Sequence, residues 1–417
     1  MPREPKRNVS GLRGISAPPF LCSLLFLPAL ILLAGPVLNG WSPTESAVSP
    51  PSATDRLGNH YLMLVNTAIA NQMNAQKMAQ FDRSPYDGLA VSFADGYDTK
   101  QVISLGPMEA QTAGWKKSTA RQIWPWVYLN RMIGANDMEG NPLTKVPYFQ
   151  RFHGLDLDGK AGAQDDFLRN WRNALRLAKE TGVPGIVCDL EFYNNYKAYD
   201  IGELARMTGK PQPEVLNLLS QLGAKMARAA AEEYPGATLW FFFTGFTRAD
   251  YRVIDGKPYY LAATYIAEGL LDEILQHHLP LHVLSGGEVG LGYCHTSLDE
   301  FRKAIEKRAA AFAPLLQKYD GILELAGTMT LWSDRQAKKN WVANGDCGAS
   351  SANTVDDLIP YMELLFRSYR YNWIYGSPNG GYFAFQPEIA PRFNAAIVRA
   401  KELAFGEAVD RSASSFR

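Results

Sequence analysis

Eight short apolar runs recur along this chain, separated by stretches of helical period, and that alternation limits the folds open to it. The runs are His60 to Asn66, Leu89 to Phe93, Gln122 to Leu129, Gly185 to Phe192, Thr238 to Thr244, Leu281 to Ser285, Gly321 to Ala326 and Tyr371 to Tyr375. Gln164 to Glu180, Pro213 to Glu233, Leu298 to Lys318 and Thr354 to Tyr369 carry apolar residues at helical spacing. Strands that alternate with helices need crossover connections, and these give a parallel sheet. Eight rounds predict closure into a (β/α)8 TIM barrel over residues 59–408. The competing open, doubly wound sheet lacks its glycine-rich phosphate turn after the first strand. The connections 94–120, 130–163 and 245–280 are long for loops, and such loops shape a barrel's cleft.

Barrel enzymes place their chemistry at the C-terminal ends of the strands. The fourth run ends in Cys-Asp-Leu-Glu-Phe-Tyr, and on a strand Asp189 and Glu191, one residue apart, point to the same face. Neighbouring carboxylates drive their pKa values apart, so that one can serve as a proton donor near neutral pH. The structural alternative is a buried ion network with Arg131. Burying two carboxylates for structure alone is costly, which favours catalysis. Glu288 follows two glycines that let a backbone approach a ligand closely; it reads equally as a solvated loop acid. Glu324 stands inside an apolar run, either as a second catalytic acid or as the partner of a base such as Arg131.

The chain is 12% aromatic, and rings suit flat, weakly charged ligands such as sugars. Trp124 and Trp126 straddle Pro125 on one face, with a core role expected for one of them. Together with Asn130, Arg131, Tyr193, Tyr293, Trp332 and Trp373 they form the expected substrate-binding set, and Trp373 is the candidate stacking platform. Lys plus Arg equals Asp plus Glu at 42 each, which leaves no basic excess for nucleic acid. No CxxC, HxH or HExxH spacing occurs, so neither a metal site nor a cofactor is expected. His153, His277, His278 and His295 share no spacing with acids that suggests a triad, and Gly-x-Ser-x-Gly is absent.

Arg3, Lys6, Arg7 and Arg13 precede an apolar stretch from Phe20 to Leu38, the layout of an export signal. Its length also reaches the roughly 17 to 25 residues of a membrane span, so residues 1–40 read as a cleaved signal or an anchor. Either places the remainder outside the cytoplasm, secreted or periplasmic. A Ser/Pro-rich linker at 41–58 and a tail at 409–417 flank the barrel. Cys22 falls in the leader and Cys188 reads as a small buried hydrophobe. In an oxidising compartment Cys294 and Cys347 are the expected bridge.

The run Gly185-Ile-Val-Cys-Asp-Leu-Glu191 resembles the Gly-x-Asp-x-Asp-x-Glu strand of the chitinase-like glycoside hydrolases, which is the fourth strand of a barrel. The resemblance implies that Glu191 protonates the glycosidic oxygen, that Asp189 orients the substrate or its charged intermediate, and that Trp373 floors the sugar subsite. Val187 stands where that family places a further acid, and Leu281 to Tyr293 shows no Tyr-Asp pattern on the sixth strand. Other barrel glycosidases pair a fourth-strand carboxylate with an acid on the sixth or seventh strand, which Glu288 or Glu324 could supply here. The resemblance is thus to the broad class of barrel glycoside hydrolases acting on oligo- or polysaccharides. Two alternatives stay open. One is a carbohydrate-binding barrel without turnover; the other is a lyase or isomerase with a phosphate site at Ser377–Gly381, where no Lys or Arg adjoins the loop.

Overall fold

The computed structural model describes residues 60–69, 73–93, 104–117, 121–128, 157–160, 162–190, 201–242, 252–254, 257–259, 262–291, 295, 297–333, 341–342, 355–376 and 390–406. Eight parallel strands form the barrel: β1 (Tyr61–Ile69), β2 (Gly88–Ser92), β3 (Gln122–Tyr128), β4 (Gly185–Asp189), β5 (Thr238–Phe241), β6 (His282–Ser285), β7 (Leu323–Ser333) and β8 (Tyr371–Gly376). Each strand pairs with the next in sequence, and β8 pairs back onto β1, which closes the sheet. The crossover helices are α1 (Ala75–Asp82), α2 (Leu105–Lys116), α3 (Ala163–Thr181), α4 (Gln212–Glu233), α5 (Ala262–His277), α6 (Leu298–Lys318), α7 (Ile359–Ser368) and α8 (Ala390–Phe405). Short helices at Ile201–Thr208 and Glu288–Leu291 precede α4 and α6, and a hairpin of Arg252–Ile254 with Lys257–Tyr259 precedes α5. This is the (β/α)8 barrel that the alternation predicts.

Two connections that read as loops carry helices, α2 and α5. Ala262, Ala263, Ile266, Ala267, Leu270, Leu271 and Ile274 of α5 are all buried. A helix enclosed on most sides loses the polar stripe that marks helical period in a sequence. By contrast α3, amphipathic and capped at its C-terminal end by Gly182 in the left-handed region (φ 75°), matches its expected span.

The barrel interior is filled by rings. Strand register places Met63, Trp124, Trp240 and Ala326 in one layer, drawn from alternate strands, and Val65, Trp126, Phe242 and Thr328 in a higher one. Trp124 meets Trp240 edge-on at 5.8 Å, and Trp240 meets Tyr61, Phe242 and Tyr371. The Tyr61 hydroxyl accepts from Trp124 Nε1 at 2.7 Å and donates to Gln122 Oε1 at 2.7 Å. Burial pushes the Tyr61 phenol well above its ordinary pKa, so this hydroxyl stays protonated. Such crowding needs a gap, and Gly88 provides it. A Cβ there would overlap the Tyr61 hydroxyl and lie 3.1 Å from Trp124 Cδ1.

Outside the barrel, Glu233 at the end of α4 accepts from Arg176 Nε and Nη2 at 2.6 and 2.7 Å and from Arg172 Nη1 at 3.1 Å. The Glu233 side chain is 14% exposed, so this α3–α4 link is screened less than an ordinary surface pair.

Two outcomes are expected. Gly88→Ala should destabilise the barrel by about 1 to 3 kcal/mol through overpacking, read as a lower urea midpoint at unchanged slope. Glu233 is held below its ordinary carboxylate pKa by hydrogen bonds from Arg176, with burial opposing and Arg172 assisting. Below the unfolded-state value the unfolded chain binds the proton first, so stability present above about pH 4.5 falls as pH drops through the folded value. Urea unfolding between about pH 3 and 6 should show a shallower acid limb for Glu233→Gln than for the wild type.

Candidate active site

Strand direction sorts the expected site residues between two rims. Asp189 is the last residue of β4, 2% exposed, and pairs in register with Tyr128 at the end of β3. Ser92 closes β2, buried, and Tyr375 stands half-buried near the end of β8. Glu288 opens the short helix just beyond β6 and is half-buried; its backbone N–H reaches Phe242 O at 3.4 Å. Gly286 N donates to Phe241 O at 2.6 Å, so the turn after β6 is fastened to the end of β5. Asp189 and Glu288 therefore share the C-terminal rim, where barrel chemistry is sited.

Glu324 lies elsewhere. It is the second residue of β7, at the N-terminal rim, with its carboxylate 3.6 Å from Nε2 of His282, the first residue of β6. The expectation that Glu324 is a second catalytic acid is corrected by this placement at the opposite end of the barrel. Among the described residues the base facing it is His282; Arg131, the base named for that alternative, lies outside them.

The rings are mostly interior. Trp124 is fully buried with its N–H bonded to Tyr61, and Trp126 is 6% exposed and meets Phe242 edge-on at 5.6 Å. Trp373 is 1% exposed, stacks on Phe242 at 4.4 Å and donates its N–H to Gly286 O at 2.7 Å. A stacking platform must present a face, and at 1% exposure Trp373 presents none, so it acts as packing beneath the rim. Trp124, fully buried, is core packing and not a substrate contact, and core packing is the role expected for one of Trp124 and Trp126. The backbone of Trp332 lies in the extension of β7 that pairs antiparallel with Trp341–Val342. Glu191, Tyr193, Asn130, Arg131 and Tyr293 lie outside the described residues, as do Cys294, Cys347 and residues 20–38.

Phe242 and Arg308 matter to this rim and were not anticipated. Phe242 continues the same-face alternation of Trp240 in Trp-Phe-Phe, a signal that was available. Arg308 falls on the buried stripe of α6 with Phe301 and Phe312, a position where its charge is out of pattern. Among the described residues no three His, Cys, Asp or Glu side chains converge to hold a metal ion, and no helix is long and apolar enough to cross a membrane.

No family model and no curated protein matches the chain. Solved structures similar to it include endo-glycoceramidase II from Rhodococcus sp. in an iminocyclitol complex, at 13% identity over 80% of this chain and 78% of that one, TM-score 0.47. The β-amylase catalytic domain from Paenibacillus polymyxa shares 8% identity over 82% of this chain and 99% of that one, TM-score 0.43. A sugar phosphate isomerase/epimerase from Parabacteroides distasonis shares 11% over 87% and 100%, TM-score 0.39.

Cys188 reports on the strand that carries Asp189. The thiol is fully buried, and burial first, then the Asp189 charge, push its pKa well above the ordinary value. Iodoacetamide at about pH 8 should leave Cys188 unmodified in the folded protein and label it in urea, read by mass spectrometry of its peptide.

Proposed function

We propose that the chain is an exported glycoside hydrolase that cleaves an oligo- or polysaccharide with carboxylates from two strand ends of one barrel rim. The observation that carries this reading is Asp189, a carboxylate buried at the tip of β4, on the same rim as Glu288 beyond β6. A buried acid at a strand tip is expensive to hold, and such sites shift pKa values toward catalytic use. Glu191, two residues past Asp189, is the proton donor to the leaving glycosidic oxygen. Asp189 raises its pKa by like-charge repulsion and holds the region polar. Glu288 acts as nucleophile or as the base that activates water. The separation of the two working carboxyls sets the outcome: about 5 to 5.5 Å gives retention, and about 6.5 to 9.5 Å gives inversion. The apolar leader with its preceding basic residues supports export.

The test is reducing-end release from a polysaccharide panel by the purified protein. Glu191→Gln, Asp189→Asn and Glu288→Gln should each lower turnover by about 10²- to 10⁴-fold on the responsive substrate, while Glu324→Gln, altered at the far rim, leaves it within about twofold. Full turnover by Glu191→Gln, or a silent panel that still shows one glycan bound, would overturn the hydrolase in favour of a binding barrel.

A further inference from the structure

Arg308 is a buried cation outside the barrel wall that the proposed chemistry does not use. It projects from α6 and is 2% exposed, the only Arg or Lys so deeply buried among the described residues. No carboxylate among the described residues pairs with it. Its two terminal nitrogens bond the barrel wall instead: Nη1 donates to Ala326 O at 2.8 Å, and Nη2 donates to Ser285 O at 2.9 Å and to Ser285 Oγ at 3.0 Å, while Nε has no partner among the described residues. The guanidinium lies over Phe312 at 5.1 Å and Tyr369 at 5.4 Å. It thus bridges the carbonyl that ends β6 to one inside β7.

The turn after Ser285 is moulded on this side chain. Gly287 has φ 87°, in the left-handed region, and a Cβ there would lie 3.0 Å from both Cζ and Nη1 of Arg308; one on Gly290 would lie 2.9 Å from Arg308 Cδ. Between these two glycines sits Glu288. An apolar side chain would fill the space between α6 and the wall without the desolvation that an unpaired charge suffers. The fork geometry, two parallel sets of donors on a rigid plane, is what a lysine or a leucine could not reproduce.

We infer that Arg308 is a positioning residue for Glu288, its guanidinium fixing the Ser285–Leu291 turn against β7 so that the acid is held at one place on the rim. This rests on the assignment of Glu288 in the proposed hydrolase. Arg308 touches no substrate; it acts through the turn. Displacing a catalytic group by about 1 Å can cost on the order of 10²-fold in rate, which sets the scale of its effect.

The experiment is a double-mutant cycle in the full chain, on the substrate that the panel identifies. Arg308→Lys and Arg308→Met should each lower kcat by about 10- to 100-fold with KM within about threefold. Ser285→Ala, which removes one of the three acceptors and leaves the core intact, should give a smaller loss in the same direction. In a Glu288→Gln background the Arg308 substitutions should cost nothing further, because the group they misplace is already disabled. Amide exchange should quicken at Gly286–Leu291 and not in β1 or β4. Equal losses in both backgrounds, or unchanged kcat in Arg308→Met and Ser285→Ala, would overturn the positioning role while Glu288→Gln remains inactive. Full activity of Glu288→Gln would instead remove the parent assignment and the positioning role together, and the exchange data would still report whether the turn is clamped.

Discussion

Ring packing inside a closed sheet is the constraint on which this structure depends. Eight strands around one axis leave a space that side chains must fill. Here Tyr61, Trp124, Trp240, Tyr371, Phe242 and Trp373 fill it in mutual contact. Their bulk is accommodated by small residues, Gly88, Ala90 and Ala326, set on other strands at matching heights. Several polar ends within the stack are tied off, Trp124 to Tyr61, Tyr61 to Gln122 and Trp373 to Gly286, while the buried Trp240 Nε1 has no hydrogen-bond partner among the described residues. The upper end of this stack is the floor on which the rim stands.

The two rims have different chemistry because strand direction is uniform. The N-terminal rim holds the His282–Glu324 pair, and the C-terminal rim holds Asp189 and the Glu288 turn. Rim position, more than residue type, separates a structural acid from a candidate catalytic one. The Glu288 turn is also the place where the wall depends on a helix: Arg308 reaches from α6 to β6 and β7 together. Support for the rim therefore comes partly from outside the barrel.

The strands were legible because buried parallel strands read as short apolar runs, and each of the eight overlaps its expected run, the seventh extending well beyond it. What escaped was set by burial and register, which a sequence does not display. Helix α5 is hidden by its own enclosure. Glu324 stands inside its expected run, Gly321 to Ala326, but the strand begins at Leu323 and continues to Ser333, which puts Glu324 at its N-terminal end. Trp373 and Trp124 carry the same ring whether packed or presented, and only the layer each occupies decides between the two. Asp189 was legible at the rim because its strand ends where the apolar run turns acidic.

The interior stack has an optical consequence. Tryptophan and tyrosine rings locked a few ångströms apart in fixed, mutually tilted orientations, as Trp124 and Trp240 are, form a chiral chromophore array. Loss of fixed side-chain packing erases near-ultraviolet dichroism while helices persist in the far ultraviolet. The middle of this barrel can therefore be watched separately from its helical shell, without any label.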